Sequence, residues 1–287
     1  MKPFELNDLP QYRSWVSELL SGKNNKRLKD QQQIVREFGI EKWGGLLAKW
    51  EANPCGVDMV RQWEISPEAL QAGLVDGQLM LMTAAESLDC YVSLVERALL
   101  EDPSPHMIEI GCGYGSVLFE LIKRGRLNYA SVVGLEYTQQ GVALAQHIAA
   151  WHSYDVTIGQ GDFNATAISN IEIPPSSDII TSFSLSYVRD SALALSNIIK
   201  LNPRRVLHFE PVFQHYKEQT ILGLLQRKYL EVNDYNPSIR QELARLESEG
   251  TIEMITEEPM IFGGNCLSPL SLLVWRPTTG GIAHTNT

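Results

Sequence analysis

Apolar positions follow two kinds of spacing along this chain, and the change from one to the other divides it near residue 104. Through the first hundred residues they recur at helical intervals in blocks, Tyr12 to Leu20, Gln31 to Phe38, Trp43 to Trp50 and Leu79 to Leu100, broken by Pro10, Asn53-Pro54 and Pro67. Strand-like alternation is scarce there, so this stretch predicts helices. After Glu101-Asp102-Pro103-Ser104-Pro105, short apolar runs alternate with helix-like segments. Met107 to Ile110, Ser131 to Leu135, Asp155 to Ile158, Asp178 to Ser182 and Arg205 to Glu210 read as five buried strands. Ser116 to Arg124 and the segment that Asp190 caps, ending at Lys200, read as helices. Such alternation predicts a parallel sheet covered on both faces. Ile252 to Thr256 and Ser271 to Trp275, joined across Phe262 to Pro269, predict a closing antiparallel pair. Between the fifth strand and that pair, His215 to Gly250 is too helical in pattern for a simple loop, and Pro237 divides it.

The first strand runs into a turn with glycine at every second place, Glu109-Ile110-Gly111-Cys112-Gly113-Tyr114-Gly115. Glycine lets such a backbone turn sharply and lets a ligand lie against its amides, so a branched side chain at Gly113 is expected to stand where the ligand lies. A phosphate-cradling loop favours positive potential, whereas the carboxylate of Glu109 beside the turn suits an ammonium or a sulfonium. Glu136 closes the second strand, where an acid accepts ribose hydroxyls in doubly wound folds. Asp162, in Gly159-Gln160-Gly161-Asp162-Phe163, follows the third strand, where an adenine amino group is read. Cys112 lies within the turn as a small packed side chain with no thiol chemistry.

With three acids at three successive strand ends, the chain resembles the class I S-adenosylmethionine-dependent methyltransferases over residues 105 to 277. Their pattern is Glu-x-Gly-x-Gly-x-Gly, then an acid closing strand two, then Gly-Asp after strand three. The rival dinucleotide pattern expects its third glycine one residue later, where this chain has Ser116. The resemblance implies a Rossmann-like α/β fold with a seven-stranded sheet in the order 3-2-1-4-5-7-6 and its last strand antiparallel. It implies S-adenosylmethionine as cofactor, S-adenosylhomocysteine as product and no metal. The expected cofactor-binding residues are Glu109, Gly111, Cys112, Gly113, Gly115, Glu136, Tyr137, Asp162, Phe163 and Phe183.

A chain of 287 residues with 44% hydrophobic content exceeds what this core requires, about 170 to 200 residues. Residues 1–104 are therefore expected to form a helical extension, 105–277 the catalytic domain with an acceptor cap at 212–250, and 278–287 a disordered tail. Trp43, Trp50 or Trp63 is expected to wall the cleft if the extension is a lid. Net charge is −10, from 24 basic and 34 acidic residues, and the longest basic run is Lys23 to Lys29, which argues against a phosphate-backbone partner. No stretch reaches the ~18 apolar residues of a membrane span, Lys2-Pro3-Phe4-Glu5 begins no signal peptide, and four scattered cysteines form no Cys-x-x-Cys pair. These features predict a cytoplasmic protein, monomer or homodimer.

Methyl transfer from a sulfonium needs alignment more than acid–base help. An amine or hydroxyl acceptor must still lose a proton, and Glu210, His215 and Asp234 are the candidate bases, with Tyr187 beside the fourth strand to orient the acceptor. Glu210 and the segment from Tyr229 to Asn236 are expected to meet across the mouth of the sheet. His208, mid-strand, reads as a core residue. No Asn-Pro-Pro-Tyr follows the fourth strand as in nucleic-acid amino-methylases, and no paired-glutamate loop as in protein arginine methyltransferases. What remains is a polar small-molecule acceptor in secondary metabolism. The acidic candidates favour nitrogen over a hydroxyl, while a cofactor-binding regulatory protein without catalysis stays open.

Overall fold

The computed structural model describes residues 1–5, 8 and 30–278. The block Tyr12 to Leu20, the basic run Lys23 to Lys29 and the tail beyond Thr278 lie outside the described residues. One sheet contains ten strands: β1 (Lys2–Pro3), β2 (Leu70–Val75), β3 (Gln78–Thr83), β4 (His106–Ile110), β5 (Ser131–Glu136), β6 (Thr157–Gln160), β7 (Asp178–Ser182), β8 (Arg205–Glu210), β9 (Ile252–Gly263) and β10 (Leu270–Pro277). Their order is β1-β3-β2-β9-β10-β8-β7-β4-β5-β6. Strands β6, β5, β4, β7 and β8 are parallel, and β10 lies antiparallel between β8 and β9.

Three strands beyond the seven expected come from the N-terminal part that read as helical. The reason is a local turn: Asp76 (φ 48°) and Gly77 (φ 76°) both take positive φ, the two-residue hairpin geometry that Asp-Gly favours, and set Val75 opposite Gln78. The helix expected from Leu79 begins only at Ala84. Thr83 accepts from the Glu86 N–H (3.1 Å) and donates its own N–H to the Glu86 carboxylate (2.9 Å), a reciprocal cap that fixes the start.

The described helices are α1 (Gln31–Ile34), which continues through a π-helical segment, Val35–Trp43, into α2 (Gly44–Ala52), then α3 (Val57–Glu64), α4 (Ala84–Leu100), α5 (Ser116–Arg124), α6 (Gln139–His152), α7 (Ser191–Lys200), α8 (Ile221–Val232) and α9 (Ile239–Ser248). None is long and apolar enough to cross a membrane. Alternation along the strands divides the core: Met107, Val132, Ile180 and Leu207 pack with α4, α5 and α6, whereas Ile108, Val133, Ile179 and Val206 pack with α7 and α9. His208 lies in this core. Trp275 donates Nε1–H to His208 Nε2 (2.9 Å), so Nδ1 carries the proton toward Thr181 Oγ1 (2.8 Å), and burial pushes the imidazole down to about 3, holding it neutral.

At the opposite end of the strands from the glycine turn, fully buried Asp178 pairs with Arg205 (3.0 Å) and Arg204 (2.9 Å), while Arg205 also donates to the Leu99 carbonyl (2.9 Å). Removing the carboxylate leaves a buried guanidinium without its counter-charge. Asp178→Ala is expected to lower unfolding free energy in urea by about 3–5 kcal/mol. A loss below about 1 kcal/mol would show that water already screens the cluster.

Candidate active site

The turn after β4 is held from behind by β5. The Leu135 carbonyl accepts from the Gly111 N–H (2.7 Å) and Cys112 N–H (3.0 Å). Glu136, buried at the end of β5, accepts the Gly113 N–H at Oε2 (3.1 Å), and at Oε1 the Thr138 N–H (3.0 Å) and hydroxyl (2.8 Å). One carboxylate thus ties the turn to the cap of α6. Gly113 has φ 58°, and a Cβ built on it would lie 3.0 Å from Trp43 Cζ2. That side is occupied by an indole rather than left for a ligand, which corrects the expectation for a branched side chain there.

Above the C-terminal ends of β4, β5 and β7 opens a cavity of 470 Å³, in the range of small-molecule sites. It brings together Glu109, Gly111, Cys112, Gly113, Glu136, Tyr137, Asp162, Phe163, Phe183 and Tyr187. Gly115 is not among its lining; it caps α5 in the left-handed conformation, φ 84°. Asp162 holds its own loop by accepting from the Asn164 N–H (2.8 Å). Glu109 is buried with Oε2 unpartnered, and burial pushes its carboxyl up to about 7; the Leu118 N–H opposes the shift and the nearby Glu136 adds to it. A buried carboxyl oxygen without a donor fits an ammonium arriving with a ligand.

Three expected bases are not among the residues lining this cavity. Glu210 follows Val206 and His208 on the α7 and α9 face of β8, and its fully buried carboxylate accepts the N–H groups of Ser184 (2.9 Å), Leu185 (3.0 Å) and Ser186 (3.3 Å) and the Ser186 hydroxyl (3.0 Å). Its oxygens are committed to the loop that carries Phe183 and Tyr187. His215 bridges Ser271 Oγ (2.7 Å) and Glu257 Oε1 (2.8 Å) beside β9 and β10. Asp234, with φ 53°, pairs with Arg189 (2.6 Å). The expected meeting across the mouth is made by other atoms of the same segment. Asn236 donates its N–H to the Ser186 carbonyl (2.8 Å), and the Tyr235 ring packs edge-on against Phe183 (5.4 Å) and Tyr187 (5.3 Å).

Sequence reasoning missed most of the N-terminal contribution. Phe38, Lys42 and Trp43 on the π-helical segment line the cavity with Glu64 of α3 and Tyr114 of the turn. Of the three tryptophans named, only Trp43 lines it; Trp50 stacks on His147 (4.5 Å) and Trp63 packs against the core. The segment joins the two blocks read as separate helices, Gln31 to Phe38 and Trp43 to Trp50, and because a π-helix does not keep the 3.6-residue period, apolar spacing did not show that the helix runs on between them.

The family described as a methyltransferase domain matches residues 101–213. Within residues 101–213 the chain carries a methyltransferase domain, on a Rossmann-like α/β sheet. No curated protein matches the sequence. Among solved structures, the [4+2]-cyclase SpnF aligns with TM-score 0.56 and 13% identity over 89% of this chain and 100% of that one. The pyocyanin biosynthetic protein PhzM aligns at 0.52 and 15% over 93% and 68%. The small RNA methyltransferase HEN1 aligns at 0.52 and 12% over 68% of this chain, which spans only 26% of it. At these identities the likeness is one of fold. The methyltransferase domain has its matched region over the turn, Glu136, Asp162 and β7, and the strap and β1–β3 lie outside it.

Because an amide accepts at one atom where the Glu210 carboxylate accepts at two, Glu210→Gln is expected to cost about 1–3 kcal/mol of stability in urea unfolding. Native stability with turnover lost would instead mark Glu210 as a base.

Proposed function

We propose that this methyltransferase domain binds S-adenosylmethionine in the cavity at the strand ends and transfers its methyl group to a nitrogen of a polar small molecule. The observation that carries the reading is the unpartnered buried oxygen of Glu109 beside the glycine turn, with Glu136 and Asp162 at the two neighbouring strand ends. In this reading Glu109 meets the ammonium of the cofactor, Glu136 its ribose hydroxyls, and Asp162 with Phe163 its adenine. When bound, the cofactor supplies an electrophilic methyl on a sulfonium whose leaving group is neutral. Phe38, Phe183 and Tyr187 then align the acceptor and exclude water. Residues 105–277 form the catalytic unit, the strap within 1–104 its lid, and 212–250 the outer support of the acceptor side.

Glu210, His215 and Asp234 are engaged elsewhere, and burial pushes the Tyr187 hydroxyl well above its ordinary range, which makes it a donor rather than a base. An acceptor that brings its own neutral lone pair therefore suits the site, which favours an amine over an alkyl hydroxyl; a readily ionised hydroxyl is the alternative. Four lining carboxylates, Glu64, Glu109, Glu136 and Asp162, disfavour a phosphate backbone.

Below about pH 7 the free protein holds a proton on Glu109 that must leave before an ammonium binds. The dissociation constant for S-adenosylmethionine is thus expected to rise about tenfold per pH unit as pH falls from 7 to 5, and Glu109→Gln should bind weakly and without this slope. A flat profile in the wild type would remove Glu109 from the site. For the acceptor, S-adenosylhomocysteine release is expected with members of a small-amine panel; release with phenols alone would make the enzyme an O-methyltransferase.

A further inference from the structure

The charges around the cavity are unequal in kind. Among the described residues lining it, four are carboxylates and Lys42 is the one cation. Lys42 belongs to the strap, and its ammonium lies 4.5 Å from the Trp43 ring centroid, a cation–π contact, while that ring packs over Gly113. The partner of Lys42 is Glu64 (2.8 Å), whose second oxygen accepts from the Tyr114 hydroxyl (2.8 Å). Lys42, Glu64 and Tyr114 thus form a hydrogen-bonded chain at the cavity that Glu109 also lines.

Resting on the cofactor assignment above, we infer that Lys42 is the counter-ion for the α-carboxylate of the cofactor. An amino-acid end carries an ammonium and a carboxylate on one carbon, so a cation near Glu109 complements the second as Glu109 complements the first. The Lys42–Glu64 pair is 41% and 28% exposed, and pairs so open to water are weak, so an incoming carboxylate can share or replace Glu64 at little cost. The ammonium has three donors, enough to keep Glu64 while engaging a second anion. Because Lys42 and Trp43 are adjacent on the strap, the same contact seats the indole over the turn. Ligands lacking the carboxylate gain nothing from Lys42.

Calorimetric titration of the full chain with S-adenosylhomocysteine and with 5′-methylthioadenosine, which lacks the amino-acid end, separates this role from a structural one. Lys42→Met is expected to weaken S-adenosylhomocysteine about tenfold or more and to leave 5′-methylthioadenosine within about twofold. Glu64→Gln, which frees the ammonium, is expected to hold or tighten S-adenosylhomocysteine. Equal losses for both ligands in Lys42→Met, an unchanged affinity for S-adenosylhomocysteine, or a Glu64→Gln loss as large as that of Lys42→Met would overturn the inference and make the pair a latch of the strap. Failure of the wild type to bind either ligand would instead overturn the cofactor assignment.

Discussion

Where parallel strands end, the loops that follow present backbone N–H groups with no ladder to receive them, and burying those groups without acceptors is costly. This chain answers with buried carboxylates. Glu136 receives Gly113 and Thr138, and Glu210 receives Ser184, Leu185 and Ser186. The two loops then close on each other, because the Ser184 hydroxyl donates to the Ile110 carbonyl (3.1 Å) and a Cβ on Gly111 would collide with Ser184. Phe183 is held at φ 50°, a conformation that persists only when its surroundings over-determine it. The cavity's shape follows from these bonds: its floor is the turn, and the Phe183–Tyr187 loop forms one wall.

Strands and helices of the α/β part were legible because burial on both faces leaves unbroken apolar runs whose ends coincide with Gly, Pro and acid positions. Arg205 to Glu210 and Ser116 to Arg124 have their sequence-based bounds in the structure. The β2–β3 hairpin was legible in principle, since Asp76-Gly77 between apolar runs is a strong two-residue turn signal, yet helical spacing around it prevailed. Glu210 does not line the cavity for a related reason. A carboxylate at a strand end points toward a cleft only if its face does, and alternation from Val206 through His208 assigns Glu210 to the other side. The strap was legible only at its ends, in the blocks Gln31 to Phe38 and Trp43 to Trp50, because the π-helical segment between them breaks the period on which amphipathic readings rest.

An acidic cavity suits a cofactor with two cationic centres, and the same acids discourage anionic acceptors. The likeness to a [4+2]-cyclase and to a small RNA methyltransferase alike shows that the fold alone leaves the reaction open, so methyl transfer is proposed from the matched domain and the acceptor from the lining. With Glu210, His215 and Asp234 outside the cavity lining, the proposed transfer rests on alignment and dryness. That places weight on Phe38, Phe183 and Tyr187, and on the strap that brings the first of them.

The proposed chemistry stands on the cofactor lying in the strand-end cavity between the glycine turn and the strap. A crystal structure of the protein with S-adenosylhomocysteine tests it most directly. Expected are ribose hydroxyls on Glu136, adenine beside Asp162 and Phe163, and the amino-acid end between Glu109 and Lys42 with Trp43 over Gly113. Ligand density outside this cavity, or an amino-acid end turned away from Glu109, would contradict it.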